Sequence, residues 1–244
     1  MRRLFLVTIL ALSACAQRGD FTPAPDGARI EATEAIFVGT TRKAGEAGFG
    51  RERSDQASFL RYDIAIPADR DPGELTWPPR RGKPDVAKHF LTQSAMQFDG
   101  SPAFRDALRG AMRLRQQTSA VVYIHGFNTN MAEGVYRVAQ MHHDLKVPGV
   151  AVHYAWPSRG SALGYVYDRD SMLYSRSGFE DLLDEVEGAG AEGIILIAHS
   201  MGAALTMETL RQMALRGDSR ALDKVAGVIL ISPDLDLDVF RSQA

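Results

Sequence analysis

Four short apolar runs at 121–124, 149–154, 193–198 and 226–231 alternate with longer segments whose apolar residues recur at helical spacing. Strands in such an alternation are too far apart in the chain for hairpins. Each returns through a helical crossover and lies parallel to the last, which demands a mostly parallel sheet with helices on both faces. Open α/β sheets of this kind bind ligands beyond the carboxyl ends of their strands. Those ends are therefore where chemistry is expected.

The third run leads there directly. Ile194, Ile195, Leu196 and Ile197 pass into Ala198-His199-Ser200-Met201-Gly202, a form of Gly-x-Ser-x-Gly with alanine replacing the first glycine. A serine hydroxyl is a poor nucleophile at its own pKa. An enzyme that uses one holds it on a sharp strand-to-helix turn between small residues, exposed to a base and to free backbone N–H groups. The plainer alternative is that Ser200 caps the following helix. The first run ends in His125-Gly126-Phe127-Asn128. An oxyanion hole needs one N–H from the residue after the nucleophile and one from the loop after an earlier strand. Met201 and Phe127 stand at those two places.

Trp156-Pro157-Ser158 and Ser232-Pro233-Asp234 complete a series with the His-Gly and His-Ser motifs. Over roughly 36–240 this series resembles a bacterial, esterase- or lipase-like branch of the α/β-hydrolase superfamily, mostly catalogued as a domain of unknown function. The resemblance implies an α/β-hydrolase fold, an acyl-enzyme on Ser200 and a small-molecule ester or acyl substrate. It calls for no metal and no organic cofactor. Six strands are legible, at 35–38, 59–66 and the four runs above, where the full fold has eight. In that fold the order is serine, acid, histidine. Here all six histidines, His89, His125, His142, His143, His153 and His199, precede Ser200. Asp234 stands where some lipases of this fold place their acid, or else it caps the next turn. Two expectations fit. Either a histidine beyond Ala244 completes a membrane-anchored serine hydrolase, or the shell is non-catalytic and has a binding or envelope-structural role. Asp234-Leu235-Asp236-Leu237-Asp238 lacks the glycine of a calcium loop.

The chain opens with Met1-Arg2-Arg3 and an apolar stretch from Leu4 to Leu12, too short to span a bilayer and in keeping with an export signal over 1–14. Cys15, the only cysteine, follows Leu12-Ser13-Ala14 in an arrangement resembling a lipobox; an ordinary secretory signal is the alternative. Acylation there adds roughly 0.8 kcal/mol of membrane affinity per buried CH₂. Residues 15–30 then read as lipidated cysteine and tether, and 31–244 as the hydrolase domain. The expected place is the cell envelope, on the periplasmic side of the outer membrane. The net charge of −2 gives the chain no electrostatic claim on nucleic acid.

Elsewhere, 44–55 is glycine-rich and charged and reads as a loop, and Ser101 reads as the cap of a helix beginning at Pro102. Asn130 and Glu133 have the spacing of a capping box. His142 and His143, as neighbours on a helix, point to different faces and make a poor metal pair. Trp77 reads as packing. Trp156, Tyr165 and Tyr167 either line a pocket or belong to the core.

Overall fold

The computed structural model describes residues 18–46, 48–217 and 219–243. Its strands are β1 (Ala32–Gly45), β2 (Gly48–Ile66), β3 (Leu91–Gln97), β4 (Ser119–Ile124), β5 (Val150–Ala155), β6 (Gly193–His199) and β7 (Val225–Ile231). They form one sheet in the order β3-β2-β1-β5-β4-β6-β7. From β1 to β7 neighbours are parallel, and β2 runs against both of its neighbours. The helices are α1 (Ser101–Arg115), α2 (Met131–Leu145), α3 (Tyr165–Tyr174), α4 (Arg176–Gly188), α5 (Met201–Arg216), α6 (Arg220–Asp223) and α7 (Leu237–Gln243), with a 3-10 turn at Ala162–Gly164.

Strand alternation divides the core. Ala120, Val122 and Ile124 of β4 join Phe104 and Leu108 of α1, Phe179 and Leu182 of α4 and Leu205 of α5. Val121 and Tyr123 join Met131, Val135 and Val138 of α2 on the opposite face. Helices thus cover both faces of a mostly parallel sheet, the α/β-hydrolase architecture. Burying these apolar side chains contributes roughly 1.5–3 kcal/mol each.

Three local expectations are corrected. The stretch 44–55 is not a loop: β1 and β2 form one long hairpin whose ladder runs through Arg42↔Arg53 to Gly45↔Gly48. β1 pairs with β5 only up to Thr40↔Ala155, so the outer part of the hairpin projects beyond the carboxyl ends of the parallel strands. Exposure on both sides of this arm removes the two-residue period that would have identified it. β3 is a seventh strand in a stretch that showed none, because of its seven residues only Leu91 is buried. Finally, Gly100 rather than Ser101 is the α1 cap residue, and no side-chain cap bond forms.

The capping box of α2 forms as expected. Asn130 Oδ1 accepts from Glu133 N at 2.9 Å and Glu133 Oε2 from Asn130 N at 3.0 Å. The tether reading fails over its described part. Thr92 N donates to Thr22 O at 2.8 Å, Ala24 N to Thr92 O at 2.9 Å, and Phe21 stacks on Tyr62 at 4.5 Å. Cys15 and the export signal lie outside the described residues. Among those described, no helix is long and apolar enough to cross a membrane.

Candidate active site

Ser200 joins β6 to α5 with φ 52 and ψ −123, a backbone conformation that residues with a Cβ rarely adopt. Its side chain makes no capping bond to α5, so the plainer alternative for this serine does not hold. Such strain costs on the order of 1–3 kcal/mol and persists only where surrounding contacts impose it. Here Ser200 N donates to Ile231 O at 3.0 Å, while Ser200 O accepts from Ala203 N at 2.9 Å and Asp234 N at 3.1 Å. Steric closeness completes the clamp. A Cβ on Gly126 would lie 2.8 Å from Ser200 Cβ, and one on Gly202 would lie 2.5 Å from His125 O. Neither glycine tolerates a side chain without moving the turn.

The His-Gly loop is thereby pressed against the serine. Met201 is buried at the first position of α5, and Phe127 is half-buried with its ring edge-on to Tyr165 at 5.3 Å. Among the described residues no protein acceptor takes the N–H of either one.

Two buried charged residues, not found from sequence, hold this loop. Asp168 Oδ2 accepts from Ser158 Oγ at 2.6 Å and Asn128 N at 3.3 Å, and Oδ1 accepts from Arg159 N at 2.7 Å. Arg42, on the hairpin arm, donates to Ser158 O and Gly50 O through Nη1 and to Thr129 O through Nη2, each at 3.0 Å. Burial pushes the Arg42 guanidinium down to about 10, against the favourable field of Asp168. Trp156 Nε1 donates to His125 O at 2.7 Å, and the two rings stack at 4.8 Å. Arg42 offered no signal, since it sits among charges that resemble a loop. Asp168 lay inside a helical pattern.

No histidine bonds to Ser200 among the described residues. His125 is held neutral, well below the usual range, by burial, then by His153 and Arg42. His153 is pushed down to about 3 by burial. His89 Nδ1 accepts from Asp85 N at 3.0 Å. His142 is buried and His143 partly exposed, and their Nδ1 atoms lie 3.0 and 3.5 Å from different oxygens of Glu34. Among the described residues, no group of three or more His, Cys, Asp or Glu side chains is placed to hold a metal ion. His199 lies on the rim of a cavity of about 320 Å³, lined also by Leu75, Trp77, Tyr123, Glu133 and Arg137. Burial and Arg137 lower its pKa.

Asp234 sits beside the elbow. Its N–H bonds to Ser200 and its carboxylate accepts from Tyr165 Oη at 2.9 Å, which raises the tyrosine pKa. Capping falls instead to Asp236, whose Oδ1 accepts from Asp238 N and Val239 N. The three aromatic residues separate as well. Trp156 is core, Tyr165 is rim, and Tyr167 has the guanidiniums of Arg53 and Arg159 each 4.5 Å from its ring. Trp77 both packs on Tyr136 and lines the cavity.

Sheet, crossovers and strained elbow together define an α/β hydrolase. The model of the family "Alpha/beta hydrolase of unknown function (DUF900)" matches residues 101–244, more than half of the chain, and the chain belongs to that family. No curated protein matches it.

Proposed function

We propose that the chain is a serine hydrolase of ester or related acyl bonds, reacting through an acyl-enzyme on Ser200. The observation that carries this is the strained, uncapped Ser200 conformation. A serine needed only to start a helix gains nothing from φ 52, whereas a nucleophile gains exposure of Oγ above the sheet. In this reading Ser200 Oγ attacks the acyl carbonyl carbon and the carbonyl oxygen becomes an oxyanion held by the N–H groups of Phe127 and Met201. Collapse expels the alcohol and leaves the acyl group on Oγ, and water then releases the acid. Asp234 is assigned to orient the imidazole that takes the serine proton. The cavity beside His199 accepts part of the substrate. We also assign 1–14 as an export signal and Cys15 as the acylated residue that anchors the protein to the bacterial envelope.

One observation favours a second reading, a non-catalytic binding or envelope-structural lipoprotein: no imidazole among the described residues bonds to Ser200. A fluorophosphonate probe separates the two. The first reading expects labelling of the folded protein that Ser200→Ala abolishes. Absence of labelling on folded protein favours the second.

A further inference from the structure

We propose that the 3-10 turn and the outer face of α3 form a contact surface for an anionic phospholipid bilayer, setting the Ser200 rim against the membrane. Leu163 is 99 % exposed and Val166 76 %, with Leu173 and Tyr174 exposed further along the helix. Spacings of three and seven residues put Leu163, Val166 and Leu173 on one side, an apolar ridge that no part of the domain covers. Exposed Arg159 and Arg169 flank it, and Arg51 and Arg53 of the hairpin arm reach α3 through Tyr167. Exposed acidic residues also occur, Asp170 on α3, Glu46, Glu52 and Asp55 on the arm, and Asp234, the last taken up by Tyr165. Apolar residues rimmed by arginines suit an interface between acyl chains and anionic headgroups.

A second observation selects a bilayer over a protein partner, and it rests on the acylation of Cys15 proposed above. Arg18 is docked at this same rim. Its guanidinium donates to Asn128 O and Asn128 Oδ1, each at 2.9 Å, and a Cβ on Gly160 would lie 3.2 Å from Arg18 Nη2. Cys15 precedes Arg18 by three residues, a span of at most about 11 Å. An acyl anchor on Cys15 is thus tethered close to the Arg18 backbone, whose own guanidinium reaches the 160–166 turn. Of the other strongly exposed leucines, Leu114, Leu145 and Leu215 lie in the last turns of α1, α2 and α5, at the opposite end of the strands, and Leu237 begins α7. The ridge and the anchor share a face that Leu114, Leu145 and Leu215 do not.

The test uses the chain from residue 15 with Cys15→Ser, which removes no described residue and leaves no other cysteine. Leu163→Cys or Leu114→Cys is then labelled with an environment-sensitive fluorophore. Vesicles contain equal parts phosphatidylcholine and phosphatidylglycerol. Emission from position 163 is expected to shift to the blue on vesicles while that from 114 stays unchanged. Leu163→Asp with Val166→Asp, both at exposed positions, is expected to lower vesicle partitioning about tenfold. Equal shifts at the two positions, no vesicle binding, unchanged partitioning in the double variant, or a blue shift already present without vesicles through self-association each overturns the proposal. Probe labelling of Ser200 in vesicle-free solution reads the hydrolase assignment separately.

Discussion

Asp168 and Arg42 place opposite charges beneath the loop that carries Phe127, and neither is accessible to water. The worth of such a pair is seen when one partner is removed, because the other is left buried and uncompensated. Asp168→Asn keeps the side-chain shape but turns an NH₂ toward either Arg159 N–H or Ser158 Oγ, and it removes the charge facing Arg42. We expect a loss of on the order of 3 kcal/mol in urea unfolding. Under the serine-hydrolase reading, Ser200 is also labelled more slowly by the probe, because one of the two backbone groups held by Asp168, Asn128 N or Arg159 N, loses its acceptor. Unchanged stability would contradict the role given to Asp168. The elbow at Ser200 and the His-Gly loop were legible because short motifs constrain them. Asp168 and Arg42 were not, because buried charge is a property of three-dimensional surroundings.

Among the elements, the connection from β2 to β3 is fastened by Arg70. Both of its terminal nitrogens donate to Asp144 near the end of α2, and Gly73 N and Gln140 Nε2 also donate to that carboxylate. The Arg70 bonds, outweighing burial, hold Asp144 far below the usual carboxylate range. A depressed carboxyl stabilises the fold fully above its unfolded pKa, and that stability is lost as pH falls through the folded value. Asp144→Asn is therefore expected to cost on the order of 3 kcal/mol near neutrality. The gap to wild type should narrow from about pH 4 downward. Urea midpoints measured at neutral and acidic pH check it, and a gap independent of pH would refute it. Elements with one buried face were plain in the sequence, since β4, β6 and α2 keep their periods. The hairpin arm and β3 were hidden because exposure on both sides leaves no period to read.

For the whole molecule, the sheet has a conspicuous flank at β7. Ile229 is 51 % exposed, Val228 and Ile231 are also exposed, and the outer edge of the strand has no partner among the described residues. An apolar edge of this kind is a template for strand pairing. The 244-residue chain is expected to associate with rising concentration in light scattering, and Ile229→Lys to reduce that association. Equal association by the variant would place the contact elsewhere. The layered architecture and its polarity, with all motifs at one end, were readable from the crossover alternation alone. The docking of residues 18–24 was not, because proline and glycine there look the same in a tether as in a strap that follows the domain surface.

That strap has a mechanical consequence. Arg18 holds Asn128 and Glu133, so a pull on the N-terminus loads the His-Gly loop before it loads any strand pairing. The loop beside the serine is the first part of the fold to feel tension on a mooring.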